Sequence, residues 1–152
     1  MPFFNSPRRL LIAASISCAL LLQGGLALAK DTVKIAFIGP LTGGVAANGI
    51  GGRNSADLAV KLRNDDPKAK YKYELVSLDD ECKPNVGVQV ATKAAADKSI
   101  IAGVTHYCSA VAMSTGDVYR RFGLPTIVWG AVLPEITYGN DRSEERRVGK
   151  EC

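Results

Sequence analysis

The residues best suited to ligand chemistry lie between Ser99 and Ser114. A short apolar run, Ile100 to Val104, is followed by a polar turn at Thr105 to Cys108 and then by a helical pattern that Ser109 is placed to cap. The pattern therefore predicts a strand, a tight turn and a helix N-terminus. Free backbone N–H groups and the helix dipole at such a terminus favour negative charge. We expect this turn, with Ser109, to bind the carboxylate of a small ligand.

His106, the only histidine of the chain, lies in the same turn. A Ser-His-Asp set is compatible with the composition, because Ser109, His106 and an aspartate of the 79–81 cluster would all lie at strand ends. However, no Gly-x-Ser-x-Gly nucleophile elbow surrounds Ser109, and no metal-ligand spacing accompanies the histidine. We favour Ser109 as a helix cap and hydrogen-bond donor, and the acidic cluster at 79–81 as a solvated loop.

The segment from Pro40 to Gly52 contains five glycines and follows a predicted strand, as phosphate-binding loops do. It lacks the Gly-x-Gly-x-x-Gly fingerprint, because Asn54 takes the place of the last glycine. It also lacks the lysine of a P-loop, because Arg53 follows Gly52. We therefore expect no nucleotide, metal or other cofactor. The segment is interpreted as a loop that passes close to a ligand or to the other strand-end loops.

Four strand-like runs alternate with three helical patterns. This alternation predicts an α/β fold with a parallel sheet and helices on both faces. In such sheets ligands bind beyond the carboxyl ends of the strands, so the turns at 40–52, 79–84, 105–109 and 129–134 are expected at one edge. The predicted strands are Thr32 to Gly39, Tyr73 to Leu78, Ile100 to Val104 and Pro125 to Trp129, and the predicted helices are about 50–64, Asn85 to Lys98, and Ser109 to Phe122, which Gly123 would end.

Both ends of the chain differ from the rest. Residues 1–29 carry an early arginine pair, an apolar run and the small residues Ala27 and Ala29, which predicts a secretory signal peptide cleaved after Ala29. The apolar run is shorter than the roughly 20 residues that a membrane-spanning helix needs. Residues 141–152 show no apolar periodicity, and most of them can be back-translated into a sequencing-adapter read. We expect this tail to be non-native and the chain to be the front of a longer protein.

The charge is nearly balanced once both ends are set aside. Residues 30–141 hold 13 Lys and Arg and 12 Asp and Glu, so the net charge of +4 comes mostly from the ends. No basic stripe with interleaved aromatic residues is present. The composition therefore gives no indication of a nucleic-acid partner.

Two cysteines, Cys82 and Cys108, lie outside the terminal segments, whereas Cys18 and Cys152 lie within them. In an exported protein two cysteines usually form a disulfide, and the expected clustering of strand ends brings these two close together. A disulfide that closes a loop of about 25 residues would stabilise the fold by roughly 3 kcal/mol. The alternative is a pair of buried free thiols.

Four motifs mark the turns after the strands. They are Ile38-Gly-Pro-Leu-Thr-Gly-Gly-Val-Ala-Ala-Asn-Gly49, Asp79-Asp80-Glu-Cys82-Lys-Pro84, His106-Tyr-Cys108-Ser109 and Gly130-Ala-Val-Leu-Pro134-Glu135. Together they resemble the leucine/isoleucine/valine-binding proteins, the periplasmic substrate-binding components of branched-chain amino acid ABC transporters. The resemblance covers residues 31–140, about the first third of such a protein. It implies a two-lobed protein that closes on its ligand, with residues 30–140 forming an incomplete first lobe of a type I periplasmic binding protein and with the cysteine pair joined.

The resemblance also implies roles for individual residues. Ser109 would bind the α-carboxylate of the ligand through its hydroxyl and backbone N–H. The carbonyl of Gly130 and the residue at Val132 would help to hold the ammonium and carboxylate groups. Asn48 would lie near the ligand side chain, and Trp129, expected to be partly buried at a strand end, is a further candidate for lining the cleft.

Two residues depart from the family pattern. Val132 stands where the branched-chain binders carry a threonine, so a hydroxyl contact is lost although a backbone N–H remains. Asn48 replaces an aromatic residue, which changes the packing around the ligand side chain. The ligand is thus expected to be a branched-chain amino acid, another amino acid, a short amide or an aromatic acid.

The expected function is that of an exported, monomeric substrate-binding protein that delivers a small carboxylate ligand to a membrane ABC permease in the periplasm. Lobe closure would bind the ligand without covalent chemistry. Two alternatives remain open. One is an exported α/β enzyme that uses the same sheet edge and depends on His106, and the other is the ligand-sensing domain of a receptor.

Overall fold

The computed structural model describes residues 30–137, in which four strands alternate with three α-helices. The predicted signal peptide at 1–29 and the predicted non-native tail at 141–152 lie outside the described residues, as do Cys18 and Cys152. The elements are β1 (Thr32–Gly39), α1 (Ala46–Asp65), β2 (Lys72–Asp79), α2 (Pro84–Ala96), β3 (Ile100–Thr105), α3 (Ser109–Phe122), β4 (Thr126–Val128) and a 3₁₀ helix (Pro134–Ile136).

The described strands form one parallel sheet in the order β2-β1-β3-β4. From β1 the chain crosses to β2 on one side, and from β2 it crosses back over β1 to β3 on the other side. Because such crossovers are right-handed, α1 lies on one face of the sheet and α2 and α3 lie on the opposite face, where α2 and α3 pack against each other. The predicted α/β fold with helices on both faces is confirmed.

The sequence of the central strand β1 fits its position in the middle of the sheet. Ala36, Phe37 and Ile38 are consecutive and almost completely buried, as expected for a parallel strand that is covered on both faces. On one face Ala36 and Ile38 join a core with Ala91 and Ala95 of α2. These small side chains let the helix backbone approach the sheet closely, and buried apolar contact of this kind is the main source of stability in such a layer.

Gly87 sets the distance between α2 and α3. A Cβ atom at this position would lie 2.3 Å from Cγ1 of Val111, which is fully buried in α3. A glycine is therefore required by the contact between the helices, although glycine weakens a helix by about 0.5–1 kcal/mol relative to alanine.

The glycine-rich segment is the main correction to the predicted elements. The prediction placed a loop at 40–52 and a helix from about residue 50, whereas α1 already begins at Ala46. The reason is tertiary contact: a Cβ at Gly49 would lie 1.8 Å from the carbonyl oxygen of Pro40, and a Cβ at Gly52 would lie 2.8 Å from the ring of Trp129. These glycines thus serve close packing within a helix. The observed β1 and α3 have the predicted bounds, and the other elements differ by one or two residues at their ends.

Candidate functional site

The turns after the four strands meet at one edge of the sheet, as predicted. Backbone hydrogen bonds join them: the N–H of His106 donates to Ile38 O at 2.8 Å, and the N–H of Trp129 donates to Thr105 O at 3.2 Å. The N–H groups of Gly130 and Ala131 both donate to the carbonyl oxygen of His106, each at 3.3 Å. The segment after β4 is therefore held against the turn that precedes α3.

Ser109 is the first residue of α3 and not its cap, which corrects the prediction. Cys108 occupies the capping position, and its side chain makes no capping hydrogen bond. Its carbonyl oxygen accepts hydrogen bonds from the N–H groups of Val111 and Ala112 at 3.1 and 3.0 Å. The N–H groups of Ser109 and Ala110 have no acceptor within residues 30–137. The first turn of α3 consequently offers two backbone donors at the positive end of the helix dipole.

The hydroxyl of Ser109 faces the segment after β4. Its Oγ accepts a hydrogen bond from the backbone N–H of Val132 at 3.2 Å, so this N–H is engaged within the protein. The side chain of Val132 is 82% exposed and contributes no polar group. The structure therefore brings Ser109 and Val132 together, and their hydroxyl, N–H and helix-end donors form one polar cluster.

The disulfide between Cys82 and Cys108 is present, with 5.6 Å between the two Cα atoms. It joins the turn after β2 to the start of α3. Three residues around it, Glu81, Cys82 and His106, have positive φ angles of 51°, 57° and 59°. Such angles are unfavourable for residues with a side chain, and the disulfide and the surrounding hydrogen bonds stabilise both turns in this conformation.

His106 belongs to a buried structural network. Its Nδ1 lies 2.9 Å from Oδ2 of Asp80 and its Nε2 lies 2.8 Å from the hydroxyl of Tyr119, and both His106 and Asp80 are fully buried. The other oxygen of Asp80 accepts the N–H of Cys82 at 2.9 Å. Burial, together with the nearby carboxylate of Asp80, raises the pKa of the Tyr119 hydroxyl well above its ordinary value. Both ring nitrogens of His106 are thus engaged away from Ser109, and the open question of a Ser-His-Asp set is answered against it.

Asp79 organises the loop before α1. Its Oδ1 accepts the N–H groups of Leu41 and Glu81 at 2.8 and 2.9 Å, and its Oδ2 accepts the hydroxyl of Thr42 at 2.6 Å. Partial burial alone would raise the pKa of Asp79, but these hydrogen bonds to the carboxylate outweigh it and hold the pKa below the ordinary value. The expectation that residues 79–81 form a solvated loop is wrong for Asp80, which is fully buried, whereas Asp79 is partly buried and its carboxylate accepts hydrogen bonds that shape the turn.

Tyr107 contacts several of the candidate residues, and sequence reasoning missed it. Its hydroxyl accepts a hydrogen bond from Nδ2 of Asn48 at 2.9 Å, and its ring packs against Trp129 with the centroids 5.4 Å apart. The ring also lies so close to Gly130 that a Cβ there would be 2.6 Å from Cδ2 of Tyr107. The structure thus brings together Asn48, Trp129 and Gly130 around Tyr107. A signal existed in its position within the polar turn, but its contact with Asn48 spans 59 residues.

Trp129 is partly buried, as predicted. Its ring packs against Phe37 with 5.6 Å between centroids and lies over Gly39 and Gly52. The indole Nε1 is buried without a hydrogen-bond acceptor among the described residues. Van der Waals contact with rings and glycines therefore fixes the position of this side chain.

Within residues 30–137 no group of three or more His, Cys, Asp or Glu side chains is arranged to hold a metal ion. In the same part of the chain no helix is both long and apolar enough to cross a membrane.

Comparisons with a family profile and with individual known sequences agree on one protein family. The sequence profile of the periplasmic binding protein family matches residues 32–142. The chain is 37% identical over 123 residues to the leucine-, isoleucine-, valine-, threonine-, and alanine-binding protein of Pseudomonas aeruginosa. The aligned region covers 80% of this chain and 33% of that protein. The chain is 35% identical over 127 residues to the leucine-specific-binding protein of Salmonella typhimurium, covering 83% and 33%. The chain thus spans about a third of the length of the curated relatives it matches.

Solved structures share the fold. A branched-chain amino acid transporter substrate-binding protein of Streptococcus pneumoniae in complex with isoleucine matches with a TM-score of 0.67 and 24% identity over 72% of this chain and 32% of that one. A solute-binding protein of an ABC transporter of Rhodopseudomonas palustris in complex with 3,4-dihydroxybenzoic acid matches with a TM-score of 0.64 and 26% identity, over 71% and 30%.

Proposed function

We propose, since the chain belongs to the periplasmic binding protein family, that it forms part of the first lobe of an ABC transporter substrate-binding protein. In this proposal the complete protein binds an amino acid or a related small carboxylate between two lobes and delivers it to a membrane permease. It acts as a monomer and carries out no covalent chemistry. The relatives named as binders of leucine, isoleucine, valine, threonine and alanine support an amino acid as the ligand class.

The start of α3 is the observation that carries the proposal. The backbone N–H groups of Ser109 and Ala110 have no acceptor within the described residues, and the Ser109 hydroxyl adjoins them. A carboxylate placed there would accept hydrogen bonds from these donors and would meet the positive end of the helix dipole. Val132 would adjust in this step, because its N–H at present donates to the oxygen of Ser109.

The other proposed contacts surround this carboxylate site. The carbonyl oxygen of Gly130 would accept a hydrogen bond from the ammonium group of the ligand, while Asn48 and Trp129 would lie beside the ligand side chain. Both flank Tyr107 at the same sheet edge as Ser109, which supports their membership of one site.

Export to the periplasm is part of the proposal. Residues 1–29 would act as a signal peptide, so that the mature chain begins at Lys30, and residues 141–152 would be non-native. The disulfide between Cys82 and Cys108 supports an oxidising compartment. Sequencing the gene beyond codon 141 tests the last point, because the proposal requires an open frame that encodes a second lobe.

Replacement of the key hydroxyl tests the carboxylate site. In the complete protein, Ser109→Ala is expected to weaken the binding of a carboxylate ligand about tenfold or more, because a hydrogen bond to a charged group is worth about 1.5–3 kcal/mol. Isothermal titration calorimetry measures the affinity, and circular dichroism checks the fold. Ser114→Ala is the matched control, since the Ser114 hydroxyl bonds to Val111 O within the same helix.

An unchanged affinity in Ser109→Ala would contradict the proposed carboxylate role. Equal losses in Ser109→Ala and Ser114→Ala would also contradict it, because they would indicate a general disturbance of α3.

A further inference from the structure

The hydrogen bond between Asn48 and Tyr107 links two parts of the site that are distant in sequence. Asn48 lies in the first turn of α1, and Tyr107 lies in the turn before α3. The bond from Asn48 Nδ2 to the Tyr107 hydroxyl measures 2.9 Å. The tyrosine side chain therefore extends from the turn that carries Ser109 to α1, where its hydroxyl and Asn48 form a polar pair.

This polar pair keeps hydrogen-bonding capacity after its internal bond is made. The hydroxyl of Tyr107 accepts from Asn48, so its own proton remains available for donation. The Oδ1 atom and the second N–H of Asn48 also remain available, because no other bond of this side chain is present within the described residues. Asn48 is exposed and Tyr107 is half-buried, so both can reach a ligand.

The surrounding contacts fix the position of the tyrosine ring. Trp129 packs on the ring with centroids 5.4 Å apart, and Gly130 leaves no room for a side chain beside it. Trp129 in turn rests on Phe37 of the central strand, with centroids 5.6 Å apart. The Tyr107 hydroxyl is therefore held in place before any ligand arrives, and such preorganised groups lose little freedom on binding.

We infer that Asn48 and Tyr107 determine ligand specificity by hydrogen bonding to a polar group at the end of the ligand remote from its carboxylate. The favoured class is a small carboxylate with an amide or a hydroxyl at that end, in preference to a purely aliphatic or unsubstituted ligand. This inference rests on the proposed function, because it assumes the carboxylate site at Ser109.

Desolvation explains the preference. When the lobes close, water leaves the Asn48–Tyr107 pair, and an aliphatic ligand would leave its donors and acceptors without partners. A site built to bond a polar group discriminates strongly against an analogue that lacks it, whereas an apolar pocket discriminates weakly. We expect the polar ligand to bind at least about tenfold more tightly than its apolar counterpart, which corresponds to one unmade hydrogen bond.

Two pairs of similarly shaped ligands test the inference in the complete protein. Asparagine and leucine have similar side-chain shapes but differ in the amide, and 4-hydroxybenzoate and benzoate differ by one hydroxyl. Calorimetric dissociation constants give an affinity ratio within each pair. The wild type is expected to bind asparagine more tightly than leucine, or 4-hydroxybenzoate more tightly than benzoate, by at least about tenfold.

Two variants assign the preference to the polar pair. Tyr107→Phe removes only the hydroxyl and Asn48→Leu removes only the amide, and each is expected to reduce the ratio toward one. Tyr71→Phe is the matched control, because Tyr71 is exposed and precedes β2 at the opposite edge of the sheet. Ser109→Ala is expected to weaken both members of a pair equally.

The outcomes separate the inference from the proposed function. Leucine and benzoate binding as tightly as their polar counterparts would overturn the inference alone, as would an unchanged ratio in both Tyr107→Phe and Asn48→Leu. Failure of all four carboxylates to bind would overturn the proposed function, and the inference with it.

Discussion

At the scale of single residues, the site depends on a few carboxylates and hydroxyls that shape turns. Asp79 and Asp80 are adjacent but act on different partners: Asp79 holds the loop before α1, and Asp80 holds His106 and the turn at Cys82. His106, with a positive φ of 59°, connects β3 to Tyr107, so its buried bonds position the residue that contacts Asn48. Catalytic chemistry is not required to explain why these side chains are buried and polar.

Asp79 should make stability depend on pH. Its pKa lies below the ordinary value of 3.8, so the folded state favours the ionised form more than the unfolded state does. Its contribution is therefore fully present above pH 3.8 and is lost as the pH falls through the lower, folded-state pKa. Asp79→Asn is expected to lower the free energy of unfolding by about 1–2 kcal/mol at pH 7. On acidification the variant is expected to lose less free energy of unfolding than the wild type loses.

Urea unfolding between pH 7 and about pH 2, which includes the range below pH 3.8, measures this difference. Asp65→Asn, at an exposed position near the end of α1, is the control and is expected to follow the wild type. Parallel curves for Asp79→Asn and the wild type would contradict the role given to Asp79.

At the scale of elements, the packing of helices and the crosslink between turns decide the shape of the sheet edge. The predicted bounds of β1 and α3 were confirmed because their apolar patterns and the Gly123 stop are local signals. The start of α1 was not predictable in this way. Glycine is needed at positions 49 and 52 because Pro40 and Trp129 pack too closely there to leave room for a side chain. Likewise, only the fold brings Asn48 to Tyr107. Local pattern thus predicted the elements and the clustering of the turns at the strand ends, while contacts between distant residues determined how the candidate site residues pack.

Gly87 provides a test of helix packing. Gly87→Ala is expected to lower the free energy of unfolding by about 1–3 kcal/mol, because the new Cβ would meet Cγ1 of the buried Val111 at 2.3 Å and outweigh the better helix propensity of alanine. Gly116→Ala in α3 is the control, since no atom lies within 4 Å of the position that its new methyl group would take, and it is expected to be neutral or stabilising by about 0.5–1 kcal/mol. Thermal and urea unfolding measure both, and equal effects would refute the packing argument.

The disulfide is expected to stabilise the same edge. Its partners are separated by 26 residues, and a loop of that size corresponds to about 3 kcal/mol in the chain-entropy description. The double variant Cys82→Ser, Cys108→Ser should have a free energy of unfolding lower by about this amount, as measured by urea unfolding, and should also bind ligand more weakly, because Ser109 follows Cys108 directly. A variant with unchanged affinity would show that α3 is positioned without the crosslink.

At the scale of the whole molecule, the described residues leave apolar surface uncovered. β4 is the last strand of the sheet within residues 30–137 and has Ile127 72% exposed, and α1 has Leu58 and Leu62 exposed at 57% and 62%. Exposed apolar side chains at an open sheet edge favour association with further protein. This surface is consistent with the proposal that the described residues are part of a larger lobe.

The proposed export of the protein gives a prediction at this scale. The complete protein recovered from the periplasm is expected to begin at Lys30, because Ala27 and Ala29 have the small side chains that signal peptidase requires. Intact-mass spectrometry and N-terminal peptide analysis measure the start. Ala29→Arg is expected to retain the first 29 residues, and recovery of an uncleaved wild-type chain from the periplasm would contradict the predicted cleavage.

The single tryptophan of the chain also makes the site visible to spectroscopy. Trp129 packs on the ring of Tyr107 at the proposed binding edge, so a ligand that moves this ring changes the environment of the indole. In a complete protein whose tryptophans outside residues 30–137 are replaced, selective excitation of Trp129 would then report ligand binding at the proposed site through emission intensity and wavelength. Stopped-flow mixing with the same signal would give the rate at which the proposed site takes up its ligand.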